Sequence, residues 1–167
     1  MGAQSLLTSL YGYKAWADDL LLDAMIELGR AGPPSDFGPA LRILNHAHIV
    51  DRIFMAHLQG FSHGYDNNEP DDLPSLQPLS ADIRRTDRAY IDYVAGLSAE
   101  ELQAPIRFRF TDGQPGRMSR EEMLAHVVTH GGYHRGEIGR LLPQIARAAS
   151  VDVFAGYLHR FDPDRRT

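Results

Sequence analysis

Apolar residues recur at three- and four-residue intervals over most of this chain, the period of helices that bury one face. The first such segment, Ser5 to Leu28, carries Leu6, Leu10, Tyr13, Ala17, Leu20, Leu21, Ala24 and Leu28, then stops at Gly29 and the breaker Gly32-Pro33-Pro34. A second helix is expected from about Pro39 through Ile43, His46, Val50, Ile53 and His57 to Gly60, with apolar residues on more than one side. Phe61 to Pro78 is rich in Gly, Asn, Asp and Pro and reads as a loop. A third helix starts at Ser80 and ends near Gly96-Leu97. Ser119 and Glu122 form a capping box that opens a fourth, which runs to about Leu142, ahead of Pro143.

The period changes once. Ile106, Phe108 and Phe110 alternate with Arg107 and Arg109 ahead of Thr-Asp-Gly-Gln-Pro-Gly, the pattern of a small hairpin with its tip near Asp112-Gly113. Ser98 and Glu101, at capping-box spacing, start a short helical turn before it. Beyond Val151, Phe154, Tyr157 and Leu158 provide an apolar face that packs back on the rest. The fold class expected is all-α: a four-helix bundle with a small β-hairpin before the last long helix, as a single domain over residues 1–167.

Composition narrows the chemistry. With no cysteine, disulfides, thiolate metal sites and a cysteine nucleophile are excluded, so any metal must be held by nitrogen and oxygen. The net charge of −5 is spread along the chain, which argues against a nucleic-acid or anionic-membrane surface. The N-terminal stretch MGAQSLLTSLYGYKAWADD does not read as a signal peptide, and no stretch reaches the roughly 20 apolar residues of a membrane span. A cytoplasmic protein is expected. There is no phosphate loop, and Gly131 stands where a zincin HExxH motif needs glutamate.

The candidate chemistry lies in VVTHGGYHRGEIGRLL, where His130 and His134 occupy one helix face one turn apart and His126 extends the series. Eight histidines placed at random in 167 residues would give about 0.4 such pairs but only about 0.02 triplets. Met123, Glu137 and Leu141 share that face. His126 and His134 lie about 12 Å apart along the axis and cannot hold one ion, so a further ligand must come from another helix. The second helix offers His46, on the face of Ile43, Val50 and Ile53; His48, nearly opposite; and His57, too far along to join His46 in one site.

The segments YGYKAWADD, ILNHAHIVDRIF, LAHVVTHGGYHRGEIGRLL and DVFAGYLHR, in this order and over essentially the whole chain, resemble the DinB family of metal-binding four-helix bundles. The resemblance implies one metal histidine on the second helix and two on the last, here His46, His130 and His134. Where many members read HQTHHRGQ, this chain has Gly131-Gly132 in the run and Glu137 at its end, which puts a carboxylate beside the site as a ligand, an orienting partner or a base. His126 reads as a core or supporting histidine, and Trp16, which matches the family motif, as core.

Three neutral imidazoles leave coordination positions open, as catalytic sites do. Zinc is the first choice of divalent metal, with nickel or iron close behind. The expected function is a metal-dependent enzyme acting on a small molecule, with Glu137 as the catalytic base. The resemblance includes relatives that transfer low-molecular-weight thiols, so a thiol substrate competes with hydrolysis; the alternative is a metal- or ligand-binding protein without turnover. Gly132, Gly136 and Gly139 form a stripe with Ala125 roughly opposite the histidines, and each mid-helix glycine costs up to about 1 kcal/mol relative to alanine. That stripe predicts close approach of another helix, within the monomer or across a homodimer interface, and a homodimer is the state the resemblance implies.

Overall fold

The computed structural model describes residues 2–69 and 72–166, so Pro70 and Asp71 of the expected loop lie outside the described residues. Four long helices form the body: α1 (Ala3–Ala31), α2 (Phe37–Gln59), α3 (Leu76–Ala95) and, after the short α4 (Ala99–Gln103) and a hairpin, α5 (Arg120–Leu141). The tail adds a 3-10 turn at Pro143–Ile145, then α6 (Ala146–Ser150) and α7 (Phe154–Phe161). Helix α1 packs on α3 and α5, and α2 on α5 and α3, which closes the four-helix bundle. Both capping boxes form: Ser98 with Glu101, and Ser119 with Glu122. None of these helices is long and apolar enough to cross a membrane.

Strands β1 (Pro105–Arg109) and β2 (Pro115–Ser119) pair antiparallel, with Phe108 opposite Gly116. A Cβ at Gly116 would lie 2.5 Å from the Phe108 ring, so the bare backbone lets that ring fold across the hairpin. Phe108 in turn meets Phe54 and His57 of α2, and the hairpin thereby covers one end of the bundle.

Helices α2 and α3 begin earlier than the sequence suggests, at Phe37 and Leu76. In each, proline (Pro39 or Pro78) falls in the first turn, where its missing N–H costs nothing. Leu76, assigned to loop by composition, is buried, and helix α3 begins there and shortens that loop. Trp16 is only half-buried: it lies on the outside of α1, under Tyr157 and Phe161 of α7, and is not core. The glycine stripe is also corrected. Gly136 is exposed and a Cβ there would meet nothing within 4 Å, so no other helix of this chain approaches it. The close approach is at Gly131, where a Cβ would lie 3.3 Å from both Lys14 Cε and Arg135 Nη1.

The core is two apolar clusters. One gathers Leu7, Tyr11, Phe54, Tyr90, Val94 and Val127; the other gathers Leu22, Met25, Leu44, Leu79, Ile83 and Ile138. Between them runs a layer of buried charge. Lys14, 1% exposed, places its ammonium 2.8 Å from Asp18, 2.8 Å from Asp51 and 2.7 Å from Asp87. Arg135, 5% exposed, reaches Asp18 at 3.0 Å and Asp152, ahead of α7, at 2.6 Å. The Tyr13 hydroxyl donates to the same Asp152, whose charge adds to burial in raising the phenol to about 12.

Two cations thus face four carboxylates. Asp18 is buried, yet lies between Lys14 and Arg135 and is held below the usual carboxylate range. Asp51 and Asp87 have mainly Lys14 to offset their burial; desolvation wins, raising Asp51 and pushing Asp87 up to about 8. A carboxyl with a raised pKa binds its proton more tightly folded than unfolded. Its contribution is fully present below the unfolded value of about 4 and is lost as pH rises toward the folded value. Stability should therefore decline from about pH 4 to about pH 8 through Asp87, with Asp51 acting in the same direction. Asp18 acts only at and below the unfolded value, outside that window. Asp87→Asn should flatten the decline, as urea midpoints across the range will show; an unchanged slope would contradict the buried proton.

Candidate metal centre

The histidines lie at the level of the charged layer, on the facing sides of α2 and α5. His46, His130 and His134 each offer a ring nitrogen such that the three atoms lie within 4.8 Å of one another, and all three side chains are partly buried. Ring centroids stand 4.4 Å apart for His130 and His134, 4.8 Å for His46 and His134, and 5.3 Å for His46 and His130. The Nε2 atoms of His130 and His134 are 3.1 Å apart. Two nitrogens bound to one tetrahedral zinc ion at about 2.0 Å are about 3.3 Å apart, so the pair fits a shared ion.

The outer nitrogens determine the tautomers. His134 Nδ1 lies 2.6 Å from Glu137 Oε2, an acceptor, so Nδ1 carries the proton and the Nε2 lone pair points to the centre. His46 Nδ1 lies 3.1 Å from the backbone carbonyl of Asn68, which orients that ring in the same way. Imidazoles held by a carboxylate and a carbonyl through the nitrogen that does not face the ion are the usual support of a metal site. His130 Nδ1 is buried without a partner. Burial, reinforced by His134, His126 and His46, lowers His130 to about 3, and burial lowers His134 despite Glu137. Both are therefore neutral at pH 7, the form that binds metal.

The remaining histidines stay outside this group. His126 packs against Phe54 with ring centroids 4.6 Å apart and stands 5.4 Å from His130, a supporting place. His48, on the other side of α2, is buried with both ring nitrogens unpartnered, and burial lowers it to about 4. His57 packs against His63 and Phe108 under the hairpin. His159 Nδ1 bonds the carbonyl of Ala155 in α7.

A groove of about 570 Å³ is lined by Ile43, Tyr133, Gly136, Glu137, Arg140 and Leu141, and meets the histidines through Glu137, the partner of His134. Tyr133, 65% exposed, forms its rim, and Gly136 opens onto it. Sequence reasoning missed two supports of the centre. The Asn68 carbonyl carries no side-chain signal. The Arg135 anchor could have been found, because Arg135 falls on the buried seam of α5 beside Gly131 and Ile138.

The family model described as the DinB family matches residues 1–161. The protein called Protein DinB, from Bacillus subtilis (strain 168), is 23% identical over 159 residues, covering 89% of this chain and 91% of that protein. No solved structure matches the chain.

Proposed function

Because the chain belongs to the DinB family and brings three histidines within reach of one ion, we propose that it binds a divalent metal and uses it as an enzyme on a small molecule. The observation that carries this reading is the pairing of His134 Nδ1 with Glu137 and of His46 Nδ1 with Asn68, which turns two lone pairs inward beside His130. His46, His130 and His134 would hold the ion, with zinc the best match to an all-imidazole set and nickel or iron next. Such an ion acts as a Lewis acid that makes a bound water or substrate thiol acidic near pH 7.

The residues of the chain supply the rest. Glu137 holds His134 by its outer nitrogen, and its side chain, 37% exposed, faces the groove where a substrate would lie, so it is also the base that accepts the substrate's proton. Arg140 and Tyr133 flank the same groove and would position the substrate. Thiol S-transfer and hydrolysis are the two reactions this arrangement serves, in a cytoplasmic protein.

Metal analysis of protein purified without chelator or affinity resin, followed by a screen of low-molecular-weight thiols and hydrolysable esters, tests the reading. One equivalent of metal and turnover that chelation abolishes are expected; stoichiometric metal without turnover would leave a binding protein. Glu137→Gln separates the roles of the carboxylate. Glutamine still accepts from His134 Nδ1, so metal is retained while a base function is lost. Glu137→Ala should lose about 10–100-fold in metal affinity.

A further inference from the structure

A groove of about 610 Å³ lies away from the histidines, between the C-terminal half of α1 and the tail. Leu20, Ala24 and Leu28 form one wall, successive turns of a single α1 face, and Ile145 and Ala148 form the other. Arg147 and Arg160 stand at its edge with one acid, Glu27. Among the described residues neither Arg147 nor Glu27 makes an ion pair, and the Arg160 guanidinium lies 6.0 Å over the Trp16 ring. Small-molecule sites are apolar clefts of roughly 300–1,000 Å³ with a few convergent polar groups, and a guanidinium matches a carboxylate with two parallel hydrogen bonds.

We propose that this groove binds a small amphipathic carboxylate, its apolar body along Leu20, Ala24 and Leu28 and its head on Arg147 and Arg160. The choice of an anion follows from two guanidiniums set against a single carboxylate. An uncharged apolar ligand would leave both arginines unused. The site shares no residue with the histidine centre, so its ligand is bound with or without metal.

Trp16, the single tryptophan, lies one turn from Leu20 on the same face and reports occupancy. Sodium octanoate should shift its emission saturably, and calorimetry should show octanoate binding at least about tenfold more tightly than octanol. Arg147→Glu, on the exposed rim, should weaken octanoate by about tenfold or more without moving the melting temperature, and Ala24→Phe should block it. His134→Ala should bind octanoate as the parent does. No saturable signal into the millimolar range would overturn the proposal, as would equal affinity for octanol or unchanged affinity in Arg147→Glu. So would Ala24→Phe or Arg147→Glu converting a dimer to monomer in sedimentation, which would assign the groove to a second copy of the chain.

Discussion

His134→Ala should empty the centre: metal content falls from one equivalent to none, and any metal-dependent turnover goes with it. The loss should exceed the roughly 10–100-fold that follows removal of an outer-shell partner, because an inner ligand is gone and Glu137 loses the imidazole it holds. His46→Ala should behave alike. His126→Ala should keep its metal, since that ring packs against Phe54 outside the group. Calorimetry with zinc and elemental analysis of the four proteins decide the matter. The parent and His126→Ala, but not His134→Ala or His46→Ala, should also gain stability with added metal, about 2.7 kcal/mol at a free concentration a hundred times the Kd. Full metal occupancy in His134→Ala would refute the assignment.

Lys14→Met should be the most damaging single change away from the centre. It leaves Asp51 without a cation and Asp87 buried, with Asp18 keeping only Arg135. Removing one partner of a buried ion pair costs roughly 3–5 kcal/mol, and at about 2–4 °C per kcal/mol the melting temperature should drop by about 6–20 °C. Adding Asp87→Asn should recover little of that loss at pH 7, because Asp87 already holds its proton there and losing Lys14 only tightens it; the two changes are coupled and will not add. Urea unfolding of the two single variants and the double variant measures it. A Lys14→Met protein within about 1 kcal/mol of the parent would show that the ammonium is dispensable.

That lysine also explains what the sequence conceals. Among the buried residues of α1, Leu7, Tyr11, Lys14, Asp18, Leu21 and Met25 alternate steps of four and three. Counting apolar positions alone skips Lys14 and Asp18, and the stripe through Leu6, Leu10, Tyr13, Ala17, Leu20, Leu21, Ala24 and Leu28 then mixes the buried Ala17 and Leu21 with residues off the seam. Leu6 is in fact 45% exposed. The same interruption recurs at Asp51 in α2, Asp87 in α3 and Arg135 in α5. Read as a repeat that tolerates polar members, each of these helices carries at least one buried charge, and these charges mark a common layer. The four long helices, the capping boxes and the hairpin were legible because local residue chemistry determines them. The three histidines were legible from helical geometry and from resemblance to the family. The grip of Asn68 on His46 was not, because a backbone carbonyl looks the same in every sequence.

The charged layer has a consequence for how the helices are threaded together. Apolar seams are forgiving: slide one helix past its neighbours by a turn, about 5.4 Å, and leucines still meet leucines. Lys14 does not allow this, since after such a slip its ammonium would lie among side chains of one apolar half while three buried acids faced each other without their cation. Only one vertical alignment of α1, α2 and α3 neutralises the lysine, and Arg135 fixes α5 to that alignment through Asp18. The ionic layer thus acts as the ruler of the bundle, and the single setting it permits is the one in which His46 stands level with His130 and His134.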